Sequence, residues 1–294
     1  MNISTSLNVF HTKYSTESSA AKCKAAGFDS LDFNYWDHQK YVAGISAEEE
    51  RDWARSIREA ADKQGIGFSQ MHGPVHGRTF ADLVPGLTVE SFLTMAERSL
   101  ETAATLGVPW VVFHPTSIST EPQPYEKVLS YNISFYRKLL PAMERTGVGI
   151  ALENSYDRIE LQKGGGKWKY FVNAGELVDL IDALNHPLFG ACWDTGHANE
   201  QGLKQQAMIE LGSRLKATHI NDNDGIRDQH LLPFQGNIYW TAVIQSLKEI
   251  GFAGAFTYES HSSIRHLPEP LQQSGLKYAA DVARYLTSLA GAEQ

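Results

Sequence analysis

Short runs rich in β-branched and aromatic residues recur along the chain, and each is followed by a longer amphipathic stretch. A run of the first kind reads as a buried strand and its successor as a helix packed on one face, so the alternation predicts βα units and a parallel sheet. Strands are predicted over 3–7, 30–35, 67–72, 110–114, 149–154, 190–194, 216–221 and 255–260, and helices over 47–64, 89–106, 125–146, 175–184, 239–250 and 269–289. Gly27, Gly65, Gly107, Gly147 and Gly251 each close a helical stretch, where a left-handed cap is cheap only for glycine. Eight repeats with no composition break and no Pro/Gly/Ser linker predict an α/β fold, one (β/α)8 barrel domain over 1–294.

Two stretches exceed the usual 2–6 residue connection. Residues 155–173, with LQKGGGKWKY, would lie over the mouth of such a barrel as a lid or as a solvated insertion, and Trp168 and Tyr170 are costly to leave exposed. Residues 222–239 follow strand seven and carry Asp228, His230 and a Gly236–Asn237 turn.

Composition narrows the partners. A 294-residue chain with 42% hydrophobic residues can bury a large core, and a formal net charge of −8 disfavours nucleic acid, whose binding depends on Lys and Arg displacing counterions. The start has neither a basic n-region nor an apolar h-region, and no stretch is apolar enough to span a bilayer, so a cytoplasmic protein with no membrane partner is expected. Cys23 and Cys192 fall in a helix and a strand and make no disulfide framework; both are expected to be reduced and buried.

His72, His114, Glu153, Asp194, His197, His219, Asp228, His230 and Glu259 all stand at or just beyond predicted strand ends. In a barrel those ends meet on one rim, and side chains so distant in sequence share no local reason to be His, Glu or Asp. A divalent-metal pocket, and hence an enzyme, is the reading that unites them. Asp194 and His197 are close enough in sequence to share the rim, and two glutamates ending strands five and eight would be expensive to bury without a cation or donors. Trp36, Trp193 and Phe234 are candidates for an apolar wall. His11, His38, His76, His186, His261 and His266 lack a comparable context and are expected on the surface or in loops.

The segments MHGP (71–74), FHP (113–115), LEN (152–154), WDTGH (193–197), THINDND (218–224), DQH (228–230) and YES (258–260) resemble, in order and placement, the xylose-isomerase-like TIM barrel superfamily. Within it they are similar to the sugar phosphate isomerase/epimerase group and to its relative endonuclease IV. The epimerase resemblance implies Glu153, Asp194, His219 and Glu259 as ligands of one divalent cation, Mn²⁺ foremost with Mg²⁺, Co²⁺ or Zn²⁺ as the other candidates, since three carboxylates and an imidazole suit a hard or borderline ion. It implies Glu153 and Glu259 as the catalytic pair, with His72, His114, His197, Asp228 and His230 binding substrate.

The chemistry that follows is proton abstraction next to a carbonyl through a metal-stabilised enediolate, one glutamate removing the proton and the other returning it. A dehydratase or lyase on a keto-sugar or cyclitol would share the enediolate and differ in product. The endonuclease resemblance would instead use all nine residues for three zinc ions in phosphodiester hydrolysis, which the acidic composition disfavours. The partner expected is a small sugar or sugar derivative, with a homo-oligomer open. No glycine-rich phosphate loop follows strand seven or eight, only FQGN and the Lys163, Lys167 and Lys169 cluster, so an unphosphorylated sugar, a cyclitol or a keto-glycoside is expected.

Overall fold

The computed structural model describes residues 1–10, 13–76, 88–118, 122–157 and 169–290. Eight parallel strands run β1 (Ile3–Ser6), β2 (Ser30–Asn34), β3 (Gly67–His72), β4 (Trp110–Phe113), β5 (Gly149–Glu153), β6 (Phe189–Asp194), β7 (Leu215–His219) and β8 (Phe256–Tyr258). Each pairs with the next in sequence from β1 to β7, and β8 returns to pair with β1. The circle is completed beyond β7 by a single parallel bridge between Ile220 and Tyr258. There the Ile220 N–H donates to the Thr257 carbonyl (2.8 Å) and the Glu259 N–H to the Ile220 carbonyl (3.1 Å). The expected (β/α)8 TIM barrel is thus the observed architecture.

Strand alternation sorts the two faces. Leu31, Phe33, Val111, Phe113, Ile150, Leu152, Trp193 and Phe256 belong to the main core cluster, which the helices complete on the outside. The inward face is divided. Val112, Ala151, Cys192 and Ala217, from β4 to β7, form a small apolar cluster of their own. The opposite wall, from β8 through β3, is polar: Thr257 donates across the interior to Gln70 (3.1 Å), whose amide donates to the Thr218 carbonyl (3.3 Å).

Helices Thr16–Ala26, Ala47–Lys63, Val89–Leu106, Ala174–Leu184, Trp240–Ile250 and Glu269–Leu289 cover the sheet. Ala47–Lys63 opens on a capping box, with Ser46 Oγ accepting from the Glu49 N–H and the Glu49 carboxylate accepting from the Ser46 N–H. The long helix predicted over 125–146 is instead two, Tyr125–Arg137 and Leu140–Thr146. Pro141 has no N–H to give the Arg137 carbonyl, so the first helix ends there. Between β6 and β7 the chain forms a short helix, Thr195–Glu200, and a 3-10 run, Gln205–Arg214, broken at Gly212. Cys23 and Cys192 are both buried free thiols, and burial pushes each up to about 12. Among the described residues no helix is long and apolar enough to cross a membrane.

Candidate functional site

β5, β6, β7 and β8 each deliver one acidic or imidazole group to the C-terminal mouth. One donor atom from each of Glu153, Asp194, His219 and Glu259 lies within 4.8 Å of the other three, and all four residues are buried. Two ligands of one ion stand roughly 3–5 Å apart when each bond is about 2.0–2.6 Å, so the cluster has the size of a coordination shell. Both carboxylate oxygens of Glu153 and both ring nitrogens of His219 are buried without a hydrogen bond, although His219 Nδ1 stands 3.0 Å from Glu153 Oε1 and 3.4 Å from Glu259 Oε2. Orphaned donors gathered at this spacing fit a divalent cation, and the oxygen-rich set fits a hard or borderline one. His72, Glu153 and His219 form a second, overlapping group of the same kind.

Local structure explains why the motifs are built as they are. In WDTGH, Trp193 and Asp194 point to opposite faces of β6. Trp193 is fully buried in the outer layer with its indole N–H on Gln205 (3.2 Å), so it is not part of the pocket wall expected for it. Asp194 caps Thr195–Glu200 by accepting the His197 N–H (2.7 Å), and its other oxygen accepts from Asn221 Nδ2 (2.9 Å). Asn154, the last residue of LEN, braces Asp194 from the far side, accepting its N–H (2.7 Å) and donating to its carbonyl (3.0 Å). Gly196 leaves the space in which Asn221 stands, since a Cβ there would lie 1.8 Å from Asn221 Oδ1.

In THINDND, Asp222 organises the long connection that follows. Its carboxylate accepts from the N–H groups of Asn223, Phe234 and Ile238 and from the Trp240 indole, all within 2.9–3.1 Å.

Around the four-donor cluster stand the other five. His72 Nδ1 donates to the Gly73 carbonyl (3.2 Å), which leaves Nε2 bare to accept from His114 Nε2 (3.2 Å); His114 Nε2 is also 3.3 Å from Glu153 Oε2. His197 Nδ1 donates to the Asn154 carbonyl (2.8 Å), so its Nε2 faces Asp228, 3.7 Å away. His230 has a left-handed φ of 49°, costly for a residue with a Cβ; it donates to the Glu259 carbonyl (2.7 Å) and meets Asp228 at 3.1 Å. All nine residues therefore share one mouth.

Burial divides their proton affinities. It pushes His72 down to about 4 and His114 to about 3, so both are neutral at pH 7. Burial opposes charge on Glu153 too, but the imidazoles around it, His219 foremost, outweigh it and hold the carboxyl well below its usual range. Glu259 goes the other way, pushed up to about 7 by burial with Glu153 and Asp194 adding repulsion. Burial also opposes charge on His230, yet Asp228 raises it to about 9.

Several placements differ from expectation. Trp36 does line the cleft, whereas Phe234 is exposed on the outside near Tyr285. His261 and His76 do lie in connections, as expected, yet both reach the site: His261 stacks on His230 with ring centres 4.4 Å apart and lines the cleft, and His76 lines the space beside it. His38 packs between Phe33 and Trp53, and His186 is partly buried. His11, Lys163, Lys167 and Trp168 lie outside the described residues, as does most of the long connection after β5 on which the lid or insertion was expected; at its far end Tyr170 is partly buried and donates to the Gln123 carbonyl (2.8 Å). Asp32 on β2 was not singled out by its sequence context. It is fully buried inside the barrel with neither carboxylate oxygen hydrogen-bonded.

A barrel of this topology with metal-capable groups at its mouth defines a class of TIM-barrel proteins, and a family model narrows it. The model for the xylose isomerase-like TIM barrel matches residues 20–286, and the chain belongs to that family. An uncharacterized protein of Methanocaldococcus jannaschii, MJ1311, is 28% identical over 193 residues, a match spanning 62% of each chain. The D-psicose 3-epimerase of Clostridium cellulolyticum H10, solved with D-tagatose, superposes with a TM-score of 0.73 at 18% identity, covering 98% of this chain and 99% of that one. A structure described as IOLI protein with a bound zinc atom gives a TM-score of 0.70 at 18% identity, covering 99% and 98%.

Proposed function

We propose that the protein is a divalent-metal-dependent sugar isomerase or epimerase. The observation that carries this reading is the buried cluster of Glu153, Asp194, His219 and Glu259, whose donors lie within 4.8 Å of one another at the floor of an open cleft. These four would hold the cation, with Mn²⁺ the first candidate and the zinc of the IOLI structure a reason to test Zn²⁺ beside it. A divalent ion held there would supply positive charge to a carbonyl and a neighbouring hydroxyl of an open-chain sugar, which would acidify the C–H of the hydroxyl-bearing carbon next to the carbonyl. Glu153, kept ionised chiefly by His219 beside it, serves as the base; Glu259, near neutrality in its own affinity, is suited to hold and return a proton. His72 and His114, neutral, and His197, with Nε2 facing the cleft, orient hydroxyls, while Asp228 and His230 close the wall. A sugar epimerase sharing the fold over nearly its whole length supports the choice of substrate class.

The test is turnover of a ketose panel in heavy water by protein loaded with one cation per chain. Deuterium should enter the product at the carbon next to the carbonyl, and Glu153→Gln and Glu259→Gln should each lower kcat by roughly a hundredfold or more with metal content retained. Product free of deuterium would exclude an exchanging enediolate route, and loss of water from the product would move the assignment to a dehydratase on a keto-sugar or cyclitol.

One observation favours a second reading, phosphodiester hydrolysis by three zinc ions: all nine expected ligands meet at one mouth, with His72, Glu153 and His219 offering a further metal-capable group. Three tightly bound zinc ions per chain, with cleavage of abasic-site DNA, would replace the first reading. The formal charge of −8 weighs against it.

A further inference from the structure

At the end of the barrel away from the candidate site, where the strands begin, the interior is incompletely filled. A cavity of about 430 Å³ opens there, walled by Trp110 at the start of β4, Leu215 and Lys216 at the start of β7, Phe252 before β8, and Ser69 and Gln70 of β3. That volume falls in the range of small-molecule sites, about 300–1,000 Å³, whereas the inside of such a barrel is ordinarily closed by layers of packed side chains. Every connection that enters a strand at this end is among the described residues.

Two bulges and two glycines shape this wall. Leu31 pairs with Phe68 and Asp32 with Gln70, which makes Ser69 an extra residue on β3; Ala191 pairs with Leu215 and Cys192 with Ala217, which makes Lys216 an extra residue on β7. A β-bulge bends its strand and re-aims a side chain, and both extra residues here line the cavity. On the inward face of β5 and β6, Gly149 and Gly190 carry no side chain. A Cβ on the first would stand 2.2 Å from Trp110 Cζ3, and one on the second 2.3 Å from Lys216 Cγ. The room they leave lets Trp110 of β4 and Lys216 of β7 meet across two intervening strands, with Lys216 Nζ 5.6 Å from the centre of the indole ring. Lys216 is the one charged side chain on the wall and forms no ion pair with any described residue. Ser69 and Ser213 add hydroxyls, and Trp110, Leu215, Ile250 and Phe252 add apolar surface.

We infer that this cavity is a second binding site, for a small organic acid whose carboxylate meets Lys216 and whose apolar body lies against Trp110, Leu215 and Phe252. A partly buried ammonium is screened less than one on an open surface and attracts a carboxylate more strongly. The contact between Lys216 and Trp110 orders both side chains before a ligand arrives, which lowers the cost of binding. The site belongs to the beginnings of the strands and the proposed cation cluster to their ends, so its occupation requires no metal.

Titration of the metal-loaded protein with benzoate, and with benzyl alcohol as its neutral counterpart, tests it. The readout is the nuclear magnetic resonance signal of the Trp110 indole N–H, assigned by its absence from Trp110→Phe. Benzoate should shift that signal saturably, with a dissociation constant of about 1 mM or tighter, and benzyl alcohol should bind about tenfold more weakly or worse. Lys216→Met should bring benzoate down to the affinity of the alcohol, whereas Lys216→Arg should keep most of the difference. Asp194→Asn, which alters the cluster at the other mouth, should leave the titration unchanged. No saturable shift at Trp110, equal affinities for acid and alcohol, an unaltered titration in Lys216→Met, or loss of the shift in Asp194→Asn would each overturn the inference.

Discussion

Asp32 shows how far a single buried carboxyl can be displaced from its solution behaviour. Burial inside the barrel, with Glu259 and Glu153 adding repulsion against the opposing pull of His219, pushes it up to about 8. A group with a raised acid affinity in the fold and an ordinary one, near 4, in the unfolded chain takes up a proton on folding between those values. Its contribution to stability is therefore undiminished below about pH 4 and declines as the pH rises towards 8. Asp32→Asn removes the titration. In metal-free protein the variant should gain on the wild type as pH rises from 5 to 8, by up to about 1.4 kcal/mol per unit crossed. Urea unfolding at several pH values measures this, and a stability difference that stays flat with pH would show that the carboxyl is not displaced.

Among the elements, the short helix Thr195–Glu200 ties β6 to the connection after β7. Gly196 to Ala would ordinarily help a helix by about 1 kcal/mol. Here the added Cβ would meet Asn221, which holds one oxygen of Asp194. The expected outcome is therefore the reverse, a loss of roughly 1–3 kcal/mol in thermal or urea unfolding together with weaker metal binding. A stabilised variant with unaltered metal affinity would show that Asn221 can move aside without consequence. This level is also where the sequence proves most and least legible. Period-2 alternation with a polar residue at the strand end locates all eight strands and brings Glu153, Asp194, His219 and Glu259 to one rim, because strand ends in a barrel have nowhere else to go. The same alternation, applied one residue further, separates Trp193 from Asp194 and places Asp32 inside beside Asn34; both signals are present in the sequence. The stacking of His261 on His230 and the four donors gathered by Asp222 depend on how a long connection folds back, which no local pattern encodes. Pro141 shows the limit of periodicity, since the apolar spacing continues smoothly through a position whose backbone cannot.

At the scale of the whole molecule, the barrel is not equally tight around its circumference. Seven strand pairs are joined by ladders of two or more paired residues, while β7 and β8 meet through one bridge, with Thr218 and Ser260 hydroxyls bonding to carbonyls of the facing segment. The proposed ligands His219 and Glu259 lie on the two sides of that thin join. An ion bound by both would act as a rivet across the weakest line of the wall, so that loading the protein and closing the cylinder become one equilibrium. Native-state hydrogen exchange reads this directly. Removing the cation with a chelator should speed exchange at the amides of Ile220 and Glu259 by about tenfold or more while amides in the middle of β5 change far less. Uniform acceleration throughout the sheet would mean that the ion steadies the molecule as a block and that the join opens no sooner than the rest.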